Sequence, residues 1–170
     1  MTKPLPLFAA MGLLSFLGLL PAHAELAVGA PVPDVTVKDH QGKDVRLTEA
    51  CSKGFALVYF YPKANTPGCT KQACSLRDAN AELAAKGVKV LGVSFDKVEA
   101  QKKFADKYTL PFPLLADPEG KVVKAFGVPA TGSFAKRQAY LFKDGKLVWR
   151  DLAAATDKQA ADVLEVVKTL

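Results

Sequence analysis

Two cysteines, Cys69 and Cys74, stand five positions apart near the middle of the 170-residue chain. They lie in the stretch YFYPKANTPGCTKQACSLRD, where a turn-rich loop joins an apolar run to a helix-forming segment that begins near Cys69. A thiol in the first turn of a helix faces unpaired N–H groups and the positive end of the helix dipole, and both favour the thiolate. Cys69 is therefore the best candidate nucleophile in the chain. The alternative, a buried cysteine acting as a small apolar residue, fits a loop–helix boundary poorly.

The spacing of the two cysteines sets a mechanical condition on any disulfide between them. On a regular helix, five residues give a rise of ~7.5 Å and a rotation of ~140°, so the two Cα atoms would be ~8–9 Å apart. A disulfide needs a Cα separation below ~7 Å. If Cys69 and Cys74 react with each other, the first helical turns must unwind, and oxidation is expected to be coupled to local unfolding.

The loop before Cys69 resembles the active-site loop of the peroxiredoxins. That family carries the pattern Pro-x-x-x-Thr-x-x-Cys, which is met here by Pro62, Thr66 and Cys69. The longer string TPGCTKQACSLRD is similar to the Q-type subfamily, also called the bacterioferritin comigratory protein family, whose resolving cysteine lies five residues after the first. The resemblance extends over nearly the whole chain after residue 24, through VLGVSFD and LPFPLLADPEGKVVKAFGV.

The resemblance implies an antioxidant, thiol-dependent peroxidase that reduces hydrogen peroxide and organic hydroperoxides to water and alcohols. Cys69 would be the peroxidatic cysteine and would become a sulfenic acid. Cys74 would condense with that acid to give an intramolecular disulfide, which a thioredoxin-like or other thiol reductant would reopen. The resemblance also implies a monomer.

Four further residues take roles from the same resemblance. Thr66 would offer its hydroxyl to the thiolate and the bound peroxide, and Pro62 would shield the site from water. Arg137 matches the arginine of the family and would stabilise the thiolate by charge; the alternative is a solvated surface arginine. The backbone N–H groups of Gly68 and Cys69 would polarise the peroxide oxygens, as an oxyanion hole does. The expected peroxide-binding residues are thus Gly68, Thr66 and Arg137.

Two other functions compete with the peroxidase hypothesis. A thiol–disulfide oxidoreductase on the same fold usually carries Cys-x-x-Cys at the helix start, whereas four residues separate the two cysteines here. A copper-binding chaperone would use two cysteines and a histidine. After residue 24 the chain has one histidine, His40, in a polar turn where we expect it to be exposed and inert. No motif indicates haem or flavin, so we expect no cofactor and no metal.

The first 24 residues have the pattern of a secretory signal peptide. A positively charged start is followed by an apolar run to Leu20 and by an A-x-A motif that ends at Ala24. The alternative is an uncleaved membrane anchor, although the run is near the short limit for spanning a bilayer. We therefore expect a signal peptide over 1–24, one domain over 25–170, and a periplasmic or otherwise exported protein without membrane attachment after cleavage.

Charge and the third cysteine add little chemistry. The chain carries 23 Lys and Arg against 17 Asp and Glu, a net charge of +6. The lysines are scattered among acidic residues, which predicts a solvated surface and no nucleic-acid partner. Cys51 lies outside the family pattern. We expect it to be a partly buried structural thiol, with an intermolecular disulfide as the alternative.

Hydrophobic patterning predicts the elements that must position these residues. The predicted strands are 35–38, 55–61, 88–95, 112–116, 138–142 and 147–150, and the predicted helices are 69–86, 96–108, 117–127 and 156–170. Asp96 should cap the second helix, Pro118 should begin the third, and Thr156 or Asp157 should cap the last. An Asp-Gly turn should join the final two strands as a hairpin. This order predicts an α/β chain with a mixed central sheet and helices on both faces, which a thioredoxin-like fold fits.

Overall fold

The computed structural model describes residues 24–170, so nearly all of the predicted signal peptide lies outside the described residues. The strands are β1 (Thr36–Asp39), β2 (Asp44–Arg46), β3 (Phe55–Phe60), β4 (Val88–Ser94), β5 (Leu114–Ala116), β6 (Ala130–Thr131), β7 (Phe134–Ala135), β8 (Gln138–Lys143) and β9 (Lys146–Asp151). The helices are α1 (Leu47–Ala50), α2 (Pro67–Asp78), α3 (Asn80–Ala85), α4 (Val98–Tyr108), α5 (Lys121–Phe126) and α6 (Gln159–Thr169). None of the described helices is long and apolar enough to cross a membrane.

Seven strands form one mixed sheet in the order β2-β1-β5-β4-β3-β8-β9. β3 and β5 flank β4 in parallel, whereas β8 runs antiparallel to β3, and β9 antiparallel to β8. The predicted hairpin between the last two strands is confirmed, with Asp144 and Gly145 at φ 49° and 78°, the left-handed pair that a two-residue hairpin turn requires. The arrangement confirms the thioredoxin-like α/β fold with a mixed sheet.

Two hydrophobic clusters cover the two faces of this sheet. Side chains alternate along a strand, so β3 sends Leu57 and Tyr59 into one cluster and Val58 and Phe60 into the other. The first, which we call the Cys69 cluster, is built with α2, α3, α4 and α6. The second, the Cys51 cluster, is built with α1 and α5. Helices therefore lie on both faces, as predicted.

The helix that carries the cysteines differs from the prediction at both ends. It begins at Pro67 instead of Cys69, because Thr66 is extended and proline is well suited to the first helical position. It ends at Asp78, and α3 follows after Ala79, whose ψ of 0° departs from helical geometry. Alanine is the strongest helix former, so propensity gave no signal for a break there.

The predicted cap of the second helix is wrong. α4 begins at Val98 after an extended Lys97. The carboxylate of Asp96 instead accepts hydrogen bonds from the Ser94 hydroxyl and from the Ala64 N–H, both at 2.8 Å. Asp96 therefore ties the end of β4 to the loop before α2.

The predicted starts of the third and last helices are also wrong. α5 begins three residues after Pro118, at Lys121, and the carboxylate of Asp117 accepts from the N–H groups of Lys121 and Val123 at 2.7 and 2.9 Å. Burial raises the pKa of Asp117 despite these bonds. α6 begins at Gln159, after Lys158 and without a side-chain cap, and the carboxylate of Asp157 instead pairs with Lys71 at 2.9 Å.

Two further expectations need correction. His40 is half-buried, not exposed, and its Nδ1 accepts a hydrogen bond from the Leu114 N–H at 3.1 Å. Burial holds the pKa of His40 below its ordinary value. Cys51 is fully buried rather than partly buried, so its thiol has no route to an intermolecular disulfide in the folded chain.

Candidate active site

Cys69 occupies the third position of α2. The first intrahelical bond runs from the Thr70 N–H to the Thr66 carbonyl, at 2.8 Å. The N–H groups of Gly68 and Cys69 precede that bond and so lack an intrahelical acceptor. Pro67 has no N–H. The helix therefore presents two free backbone donors in the turn that carries the thiol, which can stabilise negative charge there.

Arg137 meets Cys69 from the opposite side of the site. It stands just before β8, and β8 pairs with β3 so that Gln138 lies opposite Phe60, the last residue of β3. This register places Arg137 beside the loop that leads into α2. Its Nη2 lies 3.5 Å from the Cys69 Sγ and donates to it. Arg137 is thus not a solvated surface arginine.

Gly68 makes room for this guanidinium. A Cβ built at Gly68 would lie 3.3 Å from Nη2 of Arg137, which is tighter than ordinary packing. The backbone at this position is therefore in close contact with the arginine. The absence of a side chain lets the cation sit over the first turn of α2.

Two buried glutamines extend the contact. Nη1 of Arg137 donates to Oε1 of Gln72, and Nε2 of Gln72 donates to Oε1 of Gln159 at 2.7 Å. Both glutamines are buried. Gln72 follows Cys69 by three positions and shares its helix face, a spacing from which its proximity could have been inferred. Nothing in the local sequence singled out Gln159, on α6.

Thr66 and Pro62 lie in the same loop but make no hydrogen bond to Cys69. The Thr66 hydroxyl donates to the Lys63 carbonyl at 2.9 Å. Pro62 is half-buried between β3 and α2. The structure thus joins Cys69, Gly68 and Arg137 directly, and places Thr66 and Pro62 in the loop alongside.

A second polar network, which the sequence did not reveal, holds that loop in place. The Tyr61 hydroxyl donates to Oε1 of Gln101, and Nε2 of Gln101 donates to Ser94 Oγ at 2.8 Å. Ser94 in turn donates to Asp96, which also accepts from the Ala64 N–H. Burial raises the pKa of Tyr61 well above its ordinary value, so its hydroxyl stays protonated and donates.

Cys74 lies five residues after Cys69 on the same helix and is half-buried, and both thiols are free. It faces the groove between α2, α3 and α6, together with Ser75 and Asp157. The pair therefore stands as the sequence predicted, on one intact helix.

Comparison with known proteins decides the family. The chain matches the AhpC/TSA family over residues 28–150. It is 42% identical over 127 residues to the chloroplastic peroxiredoxin Q of Sedum lineare, covering 74% of this chain and 68% of that protein. The chain belongs to the AhpC/TSA family, in its peroxiredoxin Q group. It is also 40% identical over 121 residues to peroxiredoxin bcp1 of Schizosaccharomyces pombe, covering 71% of this chain and 62% of the relative, so it spans about three fifths of that relative's length.

The peroxiredoxin Q fold is matched by solved structures. The crystal structure of peroxidoxin BcpB from Mycobacterium tuberculosis has a TM-score of 0.78 and 34% identity, and the match covers 84% of this chain and 97% of that one. In this peroxiredoxin Q the described residues 24–170 gather no group of three or more His, Cys, Asp or Glu side chains that could hold a metal ion.

Proposed function

We propose that this peroxiredoxin Q is a thiol-dependent peroxidase that reduces hydrogen peroxide and organic hydroperoxides. The observation that carries the proposal is the Arg137 Nη2 at 3.5 Å from the Cys69 Sγ, in a turn of α2 that also offers the free N–H groups of Gly68 and Cys69. A cation and two backbone donors around one thiol favour the thiolate. They also offer donors for the oxygen that gains charge when the O–O bond breaks.

In the first step the Cys69 thiolate attacks one oxygen of the peroxide. An S–O bond forms and the O–O bond breaks, so the sulfur is oxidised to a sulfenic acid and the other oxygen leaves as alkoxide or hydroxide. A proton from solvent converts that leaving group to alcohol or water. The leaving oxygen would be stabilised by Arg137, which lies close to the backbone of Gly68, and by the N–H of Gly68.

Thr66 and Pro62 would bind and enclose the peroxide. The Thr66 hydroxyl gives its hydrogen to the Lys63 carbonyl, which leaves its oxygen lone pairs free to accept a hydrogen bond from a peroxide O–H. Pro62 offers an apolar ring without an N–H at the loop. Such a surface would limit water around the sulfenic acid.

In the second step Cys74 would resolve the sulfenic acid. Its thiol sulfur bonds to the Cys69 sulfur, and the sulfenic oxygen leaves as water. Because both residues lie on α2, this step would unwind its first turns. It would also loosen the contacts of α2 with α6, among them the Lys71–Asp157 ion pair. Faster amide hydrogen exchange in α2 after oxidation would support this step.

A dithiol reductant of the thioredoxin type would close the cycle, becoming oxidised as both cysteines return to thiols. Since one chain carries both cysteines, a single copy holds the complete site, and we propose a monomer. Light scattering of the reduced protein at micromolar concentration would test this, because a stable dimer would double the mass.

We propose further that residues 1–24 are a cleaved export signal and that 25–170 is the functional domain. Two contacts support a domain start at Glu25: its carboxylate accepts from Gln138 Nε2 at 2.9 Å, and the Leu26 carbonyl accepts from Arg150 Nη1 at 2.7 Å. Cleavage before Glu25 would keep both. N-terminal sequencing of the protein from a periplasmic fraction should begin at Glu25, whereas an intact Met1 would contradict the proposal.

Mass spectrometry under non-reducing conditions tests the peroxidase itself. After one equivalent of hydrogen peroxide, the wild type should show a Cys69–Cys74 disulfide. Cys74→Ser should show a trappable sulfenic acid on Cys69. If Cys69 stays a free thiol in both, the peroxidase proposal fails. The family matches do not favour the oxidoreductase alternative.

A further inference from the structure

A line of four side chains runs from the candidate nucleophile to the far helix. Arg137 donates to both Cys69 and Gln72, and Gln72 donates to Gln159 at 2.7 Å. Gln159 is 1% exposed, and its Nε2 has no hydrogen-bond partner among the described residues. A buried amide nitrogen without a partner is costly.

The direction of every bond in this line is fixed by the arginine. A guanidinium has only donors, so Gln72 must turn its Oε1 to Arg137. Its Nε2 then points to α6, where Oε1 of Gln159 accepts the hydrogen bond. That choice leaves Nε2 of Gln159 as the atom without a partner. The cost falls at the end of the line, farthest from the sulfur, and the line stays continuous.

We propose that Gln159 is a positioning residue for Arg137 and acts through Gln72. By accepting from Nε2 of Gln72, it holds that amide in the one orientation that offers oxygen to the guanidinium. Arg137 then keeps Nη2 toward Cys69. Without Gln159, the Nε2 of Gln72 loses the only acceptor that it has among the described residues, and the amide can rotate. This inference rests on the proposed function, in which Cys69 reacts as a thiolate held beside Arg137.

The test measures thiolate formation rather than peroxide turnover. In a Cys51→Ala, Cys74→Ser background Cys69 is the single cysteine of the chain, so iodoacetamide alkylation reports on Cys69 alone. Gln159→Met keeps an unbranched side chain of similar length and removes the acceptor. We expect alkylation near neutral pH to slow by about fivefold, the factor of one net hydrogen bond. We also expect the pH profile of the alkylation rate to move to higher pH.

A double variant separates positioning from general destabilisation. If Gln159 acts through Gln72, then adding Gln159→Met to Gln72→Met should cause no further slowing. A Gln159→Met variant that reacts as fast as its parent, or effects that multiply in the double variant, would overturn the proposal. Should Gln159→Met fail to fold, Gln159→Asn keeps the amide and shortens its reach by one methylene, with the same expected slowing. A wild type that alkylates normally but does not consume peroxide would refute the peroxidase and leave this inference standing.

Discussion

The two clusters of this protein each enclose one nearly inaccessible thiol, and the two thiols differ in almost everything but burial. Cys51 is 0% exposed and Cys69 is 2% exposed. Cys51 follows the short helix α1 and packs in the Cys51 cluster with apolar neighbours. Burial raises its pKa from an ordinary 9.0 to about 12. It therefore stays a thiol in the folded protein.

Cys69 is as buried but lies at a different kind of boundary. One side of its residue packs in the Cys69 cluster, while its sulfur accepts from Arg137 at 3.5 Å in the first turn of α2. Burial disfavours a thiolate because it removes water from the sulfur. Hydrogen-bond donors that take the place of that water offset the cost. Donors, rather than exposure, therefore distinguish the proposed nucleophile Cys69 from Cys51.

Replacing each of the two cysteines in turn should give the largest predicted difference in the rate of peroxide consumption. Cys69→Ser should reduce peroxide consumption by more than about 10³-fold, because a serine hydroxyl is a far weaker nucleophile than a thiolate. Cys51→Ala should change that rate by less than about twofold, since it lies on the other face of the sheet. A coupled peroxidase assay measures both.

The effect of Cys51→Ala should instead appear in the free energy of unfolding. Cys51→Ala leaves a small cavity and should lower the free energy of unfolding by roughly 1 kcal/mol. A large loss of peroxidase activity in a folded Cys51→Ala protein would show that the two clusters are functionally coupled. It would contradict the expectation that Cys51 does not contribute to activity.

Removing the donor should give the next largest effect. Arg137→Met should slow the reaction of Cys69 with hydrogen peroxide by about 10²-fold, the usual cost of one donor to developing negative charge. The matched control is Arg46→Met. Arg46 pairs with Asp34 at 2.7 Å on the exposed surface, so its loss should leave the rate unchanged. Stopped-flow fluorescence would follow both, and equal rates in the two variants would remove the arginine from the mechanism.

Local pattern predicted that Cys69 stands at the start of a helix with Cys74 five residues on, whereas Arg137 was assigned from the resemblance to the peroxiredoxin family. The apolar run at Phe55–Phe60, the proline loop and the helix start set the place of Cys69. Arg137 was harder, because its approach depends on the pairing of β8 with β3. A long-range register of this kind leaves no local periodic signal.

The supporting residues could not be found in this way. Gln159, Ser94 and Asp96 act through neighbours that stand far away in sequence, such as Gln72 and Ala64. Asp96 has the type and place of a helix cap, yet a loop N–H and a hydroxyl compete for its carboxylate. Tertiary hydrogen bonds overrode the local preference.

The raised pKa of the Cys51 thiol predicts how the stability of the protein changes at alkaline pH. The folded-state pKa of Cys51, about 12, lies above its unfolded value, so above pH ~9 the unfolded chain releases a proton that the native protein keeps. Stability should therefore fall as pH rises from about 9 toward 12, by up to about 1.4 kcal/mol per pH unit from this group. Urea unfolding of reduced wild type and of Cys51→Ala across this pH range should show a free energy of unfolding that falls less steeply with pH in the variant. An equal fall in the two proteins would mean that the pKa of Cys51 is the same in the folded and the unfolded chain.

The smallest predicted change is one methyl group at Gly68. Gly68→Ala should favour α2, since alanine is better than glycine in a helix by roughly 0.5–1 kcal/mol. Its Cβ would stand 3.3 Å from Nη2 of Arg137, so the guanidinium must shift by a few tenths of an ångström. We expect peroxide reactivity to fall by about two- to fivefold, because donor strength at the sulfur depends on that distance.

Thr70→Ala, two positions further along α2, introduces the same side chain away from the arginine and should leave the rate unchanged. Stopped-flow kinetics and urea unfolding on both variants give the answer. Stability and reactivity should move in opposite directions for Gly68→Ala alone, because the methyl group supports the helix while it displaces the cation. A Gly68→Ala protein that is more stable and equally fast would show that Arg137 acts on Cys69 from a range of positions. The contrast between the two thiols would then rest on the charge of the arginine and not on its exact contact with sulfur.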